Sequence, residues 1–131
     1  MAKKPIDQLG ELQGAILEAV WDLEQATVHE VRDRLKLQKK LAYTTVLTAL
    51  QRLEKAGLVK HQRQGKSHVY LATDSREEAG TQSILRLIKS TFQGNALLML
   101  QHLMDRENLT NEELSELRKM IDQKRKERKN G

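Results

Sequence analysis

The pattern from Ala42 to Leu71 constrains the fold of this chain more than any other stretch. Val46, Ala49, Leu50 and Leu53 recur at spacings of three and four, which at about 100° per residue gathers them on one face of an α-helix running from about Ala42 to Ala56. Gly57 follows, the residue best suited to the left-handed position past a helix end. Leu58 and Val59 then open an extended segment, which Gln64-Gly65 interrupts before Val69-Tyr70-Leu71 resumes it. This spacing predicts a β-hairpin. A turn at Gln64-Gly65 would set Arg63 opposite Lys66 and His61 opposite His68, which makes the tip cationic.

The face of that helix opposite its apolar stripe holds Thr44, Thr48, Gln51, Arg52 and Lys55, with Thr45 at its edge. Short hydroxyls, an amide and cations approach base edges and phosphates closely, whereas a merely solvated helix face mixes Glu with Lys. Charge placement agrees. Residues 36 to 70 carry eight basic groups, Lys36, Lys39, Lys40, Arg52, Lys55, Lys60, Arg63 and Lys66, against the single acid Glu54, a net +7. The preceding 35 residues carry −3 and the remaining 61 carry +1, so the whole-chain charge of +5 comes from one block. A local cationic block is what binding to a polyanion requires, because neutralised phosphates release condensed counterions.

Two helices precede this block. Leu9, Leu12, Ile16, Val20 and Leu23, flanked by Leu17 and Trp21, mark the first, and Thr27-Val28-His29-Glu30 is a capping box opening the second, with Val31 and Leu35 inward. Three helices and a basic-tipped hairpin make up a winged helix-turn-helix, in which the third helix enters the major groove and the hairpin touches the flanking backbone. The C-terminal third is helical as well. Ile84, Leu85, Leu87 and Ile88 line a helix from about Arg76 to Phe92, and Gly94 breaks it. From Asn95 to Met104 almost every residue is apolar, and a helix apolar nearly all round must be buried. Thr110-Asn111-Glu112-Glu113 is a second capping box before the stripe Leu114, Leu117 and Ile121. A second copy of the chain is the expected cover, through Leu85, Ile88, Phe92, Leu97, Leu98, Leu100, Leu103, Leu114, Leu117 and Ile121. The expected organisation is a winged-helix domain over residues 1–74, a helical dimerisation region over 75–123 and a charged tail over 124–131.

Several function classes drop out. The chain has no cysteine, hence no disulfide, thiol nucleophile or thiolate metal site, and its longest apolar run, Ala96 to Leu100, is far short of a membrane helix or a secretory leader. A cytoplasmic protein is expected. His61 and His68 face each other without further ligand types and make a poor metal site, so no metal or cofactor is expected. No Ser-His-Asp spacing, phosphate loop or apolar acid pair suggests an enzyme. Two readings remain open: a sequence-specific DNA-binding protein, or a protein-interaction module whose basic block binds an acidic partner.

The run Leu9 to Leu35, the stretch Ala42-Tyr43-Thr44-Thr45-Val46-Leu47-Thr48-Ala49-Leu50-Gln51-Arg52-Leu53-Glu54-Lys55-Ala56-Gly57-Leu58-Val59, the turn Arg63-Gln64-Gly65-Lys66 and the segment Leu109 to Arg118 together resemble the penicillinase-repressor family of BlaI, MecI and CopY type. The resemblance runs from about residue 6 to 122. It implies a homodimeric transcriptional repressor on a dyad-symmetric double-stranded DNA operator. By position it implies that Tyr43, Thr44, Thr45, Leu47 and Thr48 read the DNA with Arg52 near the backbone, joined by Lys55, Arg63 and Lys66 from the cationic surface. Two departures bear on control. The Asn-Phe bond cut in members governed by a membrane protease is absent, the corresponding stretch reading Leu100-Gln101-His102-Leu103, and the Cys-rich motif of copper-responsive members is absent too. The resemblance therefore names no inducer, and any regulatory protease or sensor is left unspecified.

Overall fold

The computed structural model of the protein describes residues 3–36 and 40–130; Lys39 of the basic block lies outside them. A short 3-10 turn at Ile6–Gln8 leads into α1, Glu11–Leu23. A two-residue strand β1, Gln25–Ala26, connects it to α2, Val28–Leu35. The Thr27 capping box is formed as read: the Glu30 N–H donates to Thr27 Oγ1 at 3.2 Å, and the Thr27 N–H donates to Glu30 Oε1 at 2.9 Å. Helix α3 spans Tyr43–Lys55 and buries Val46, Ala49, Leu50 and Leu53, the stripe seen in the sequence. They meet Ile16, Leu17 and Val20 of α1 and Val31 of α2 in one core. Each such side chain contributes on the order of 1.5–3 kcal/mol by leaving water.

The end of α3 is fixed by its own hydrogen bonds. The Leu58 N–H donates to the Leu53 carbonyl and the Gly57 N–H to the Glu54 carbonyl, both at 3.0 Å, a Schellman motif with Gly57 at φ +82°. That geometry turns the chain directly into strand β2, Val59–Gln64, which pairs antiparallel with β3, Ser67–Ala72. The sheet order is β1-β3-β2. The hairpin turn is one residue later than the spacing suggested. Gln64 pairs with Ser67, so Gly65-Lys66 forms the turn, Arg63 stands opposite His68 and His61 opposite Tyr70. The reason is conformational: favoured two-residue hairpin turns need positive φ at their first position, and Gly65, at φ +60°, takes it without a Cβ clash. The strand β1, too short for a periodicity signal, went unread.

Helix α4 spans Arg76–Ser90, two residues short of the expected Phe92. Its first eleven residues belong to the N-terminal unit, which runs through Arg86. Ala79 is buried there, and Arg76 donates to Glu18 at 2.9 Å and to Asp22 at 2.6 Å. Asp22 also accepts from Arg34 at 3.1 Å, and Arg86 donates to Asp7 at 2.9 Å. Arg76 first and Arg34 second hold the Asp22 carboxyl below its ordinary value, and Arg86 does the same for Asp7.

The C-terminal unit begins within α4, at Leu87. Gln93 and Gly94 take positive φ and end the helix turn before α5, Ala96–Arg106, whose Leu98 N–H is capped by Asn95 Oδ1 at 2.9 Å. Thr110 and Glu113 form the second capping box, at 3.0 and 3.1 Å, ahead of α6, Asn111–Asn130. The charged stretch 124–130 thus continues the helix instead of forming a tail. Lys, Arg and Glu are strong helix formers, and Lys124 pairs with Glu127 at 3.1 Å. No described helix is long and apolar enough to cross a membrane.

Two measurements check this architecture. Leu50→Ala, at a fully buried position, is expected to lower stability by about 2–5 kcal/mol, seen as a reduced urea midpoint at unchanged slope. Because the Asp22 pKa is depressed on folding, its stabilising contribution is present above the unfolded-state value and is lost as pH falls through the folded one. Asp22→Asn should therefore flatten the loss of thermal stability as pH falls through and below the ordinary carboxylate range, and an unchanged acid limb would remove this linkage.

Candidate nucleic-acid interface and assembly surface

The burial of one α3 face presents the other to solvent. Thr44, Thr45, Thr48, Gln51, Arg52 and Lys55 are all exposed, and Tyr43 is exposed at the helix start with its ring 4.7 Å from that of His29. Leu47 is half-buried and packs against the core from the side. Grooves flank the helix on both sides. One, of about 570 Å³, runs between α3 and the start of α1 and is lined by Thr44, Thr45, Thr48 and Arg52 together with Lys4 and Gln13. The other, of about 380 Å³, lies between α3, the start of α2 and the hairpin, and is lined by Tyr43, Leu47 and Gln51 with His29, Lys66 and His68. The predicted reading residues of α3 thus divide into two rows, one per groove. Lys4, Gln13 and His29 are not singled out by the sequence, whereas His68, read there as part of the hairpin, lies in the second groove. They come from distant segments, so no local pattern groups them with α3.

Cations at this surface are largely uncommitted. Among the described residues Arg52, Lys55 and Lys66 form no ion pair, while Arg63 folds back so that its Nε donates to the Gly65 carbonyl at 3.2 Å. Glu54, the one acid of the basic block, is taken up by the hairpin: its carboxylate oxygens lie 2.7 and 2.8 Å from His61 Nδ1. The His61 ring stacks on His68 at 4.8 Å, a diagonal contact that the shifted register still permits. Burial pushes the Tyr70 phenol above its ordinary range, so it stays neutral behind this cluster. No side chain caps α1 at Gly10, which lines the first groove with Glu11, Lys4 and Arg52. This combination of hydroxyls, an amide side chain and cations around an exposed helix face suits phosphates on either side and base edges in front.

The predicted assembly residues are placed differently. Neither α5 nor α6 buries any residue within the protomer. Leu97 is 77% exposed, Leu103 50% and Ile121 49%; Leu85, Leu98, Leu100 and Leu114 are also exposed, and Ile88, Phe92 and Leu117 are half-buried. The nearly all-apolar helix, expected to be buried, is therefore bare in a single chain. Leu100, Leu103, Met104, Leu109, Leu117 and Met120 floor an apolar groove of about 400 Å³ edged by Glu112, Glu113 and Glu116.

The sequence matches the penicillinase repressor family over residues 9–123. It is 40% identical over 79 residues to the transcriptional regulator BlaI of Mycobacterium tuberculosis, a match covering 60% of this chain and 56% of that protein, so little more than half of that relative is spanned. It is 21% identical over 126 residues to the penicillinase repressor of Bacillus licheniformis, covering 96% and 98%. The solution structure of the DNA-binding domain of the repressor BlaI superimposes with a TM-score of 0.51 at 24% identity, over 60% of this chain and 93% of that one, and has the same fold. With the family's sequence pattern extending over all but the two ends of the chain, the protein belongs to the penicillinase repressor family.

Proposed function

We propose that the protein is a DNA-binding transcriptional repressor that occupies a dyad-symmetric operator as a homodimer in the cytoplasm. The observation that carries the reading is the exposed face of α3, with hydroxyl, amide and cationic side chains only, between two grooves whose walls hold further cations. In this reading Thr44, Thr45 and Thr48 approach base edges in the major groove, with Tyr43 and Leu47 supplying apolar contact to the neighbouring base. Arg52, Lys55 and Lys4 hold one backbone strand, and Lys66 and Arg63 of the hairpin hold the other. Repression follows from occupancy. The bare apolar side chains of α5 and α6, several of which share one groove, support the homodimer, since large apolar groups left exposed together mark an interaction surface. Two protomers then bind two half-sites as one linked event.

Genomic footprinting supplies the operator, and binding assays on it test the roles. Thr45→Ala should cost about 1–3 kcal/mol on operator DNA and narrow its margin over random DNA, whereas Lys66→Ala should weaken both alike and reduce the salt slope by about one. Equal affinity of the parent for operator and random DNA would return the protein to the class of unspecific polyanion binders. Leu97→Glu with Leu103→Glu alters two exposed positions, so each protomer stays folded. Sedimentation should then change from twice the chain mass to one, with operator affinity falling by about 10²–10⁴. A parent that sediments as a monomer would end the dimer reading.

A further inference from the structure

Besides the two grooves beside α3, the N-terminal unit holds a cavity of about 340 Å³ between the N-terminal segment, α1 and the first turns of α4. That volume is at the lower end of what small-molecule sites offer. Its apolar wall is formed by Pro5, Ile6, Leu17, Trp21, Leu58 and Ala79, and the other half of its lining is polar: Lys3, Lys4, Thr73, Asp74, Gln82 and Arg86. Trp21 is the only tryptophan of the chain, and its ring is held in place: Nε1 donates to the Asp74 carbonyl at 3.0 Å, and the Arg76 guanidinium lies 5.5 Å from the ring centre. The charged lining is unbalanced. Lys3, Lys4 and Arg86 contribute three cations against the one acid Asp74, which Lys3 holds at 2.5 Å. Arg86 reaches outward to Asp7, and Lys4 forms no ion pair among the described residues. A slot with a fixed aromatic wall on one side, polar groups on the other and one cation, Lys4, without an acid partner among the described residues recognises a flat ring carrying one negative charge.

We infer that this cavity is an effector site for a small single-ring organic monoanion, an aromatic carboxylate, with the ring against Trp21 and the carboxylate on Lys4 and Arg86. Its position makes it regulatory. Lys4 lines both this cavity and the groove between α1 and α3, and its backbone N–H donates to the Ala56 carbonyl at 3.1 Å, at the end of α3. A carboxylate that engages Lys4 draws that cation away from the groove assigned above to a DNA strand. This second step rests on the proposed function; ligand binding itself does not.

Titration of the full chain with sodium benzoate, followed by Trp21 emission, separates the two. Benzoate up to about 10 mM should give a saturable change, benzyl alcohol should give none at equal concentration, and sodium chloride serves as the ionic control. Arg86→Gln, at an exposed position outside the DNA-facing surface, should weaken benzoate binding by about tenfold while leaving operator affinity unchanged; Lys4→Gln should weaken it similarly. Benzoate should also lower operator affinity of the parent and do so less for Arg86→Gln. A linear response, an equal response to benzyl alcohol, or benzoate binding indifferent to both substitutions would overturn the site. Benzoate binding with unaltered operator affinity would overturn its regulatory role, and a parent without operator preference would instead refute the proposed function, leaving the fluorescence result to decide the cavity.

Discussion

Everything at the exposed face of α3 depends on the burial of Val46, Ala49, Leu50 and Leu53 against α1 and α2. Those four side chains set the rotation of α3 about its own axis. Because side chains on a helix are fixed relative to one another, burying this stripe commits the threonine and arginine face to solvent without any further interaction to hold it there. The glycine at the end of the helix then sets where the hairpin starts. With Gly57 in the left-handed region and two hydrogen bonds closing the Schellman motif, β2 leaves α3 at a defined angle, and the cationic tip at Lys66 ends beside the same exposed face.

Polar contacts add the parts that the core does not reach. Arg76 ties the first turns of α4 to Glu18 and Asp22 of α1, and Asp7 ties the N-terminal segment to Arg86. These are exposed pairs, each worth little alone, yet they converge on Trp21 and Ala79 and carry the compact unit well into α4. Electrostatic economy is visible at Glu54. Left free, it would subtract from the cationic surface; held by His61, it braces the hairpin against α3 instead. The C-terminal unit obeys the opposite logic. Its helices are well capped, by Asn95 and by Thr110 with Glu113, but they bury nothing of their own. Such helices gain little from packing within the protomer, which is why their apolar faces point to association.

Local pattern was sufficient for every helix start marked by a cap and for the apolar stripes, because caps and periodicity are encoded within a few residues. Thr27-Glu30 and Thr110-Glu113 form the bonds their spacing implied, and the stripe of α3 is buried as read. The turn of the hairpin was misplaced by one residue, because two candidate turns shared the same glycine and only its positive φ distinguishes them. Strand β1 escaped notice because two residues carry no period; it exists only through pairing with β3. The continuation of α6 through residues 124–130 was taken for a tail since it lacks apolar residues, although its composition favours helix.

The sequence by itself determined the winged-helix class, the basic block, and the α3 residues presented to solvent, since each follows from spacing or count along the chain. Only the tertiary structure decided which distant residues share that surface. Lys4 and Gln13 lie across one groove from Thr44 and Arg52, His29 and His68 across the other from Tyr43 and Gln51, and Lys3, Trp21, Asp74 and Arg86 meet around one cavity. The physical reason is that periodicity reports how a residue is oriented on its own element. Which other element it faces depends on how the buried stripes pack together.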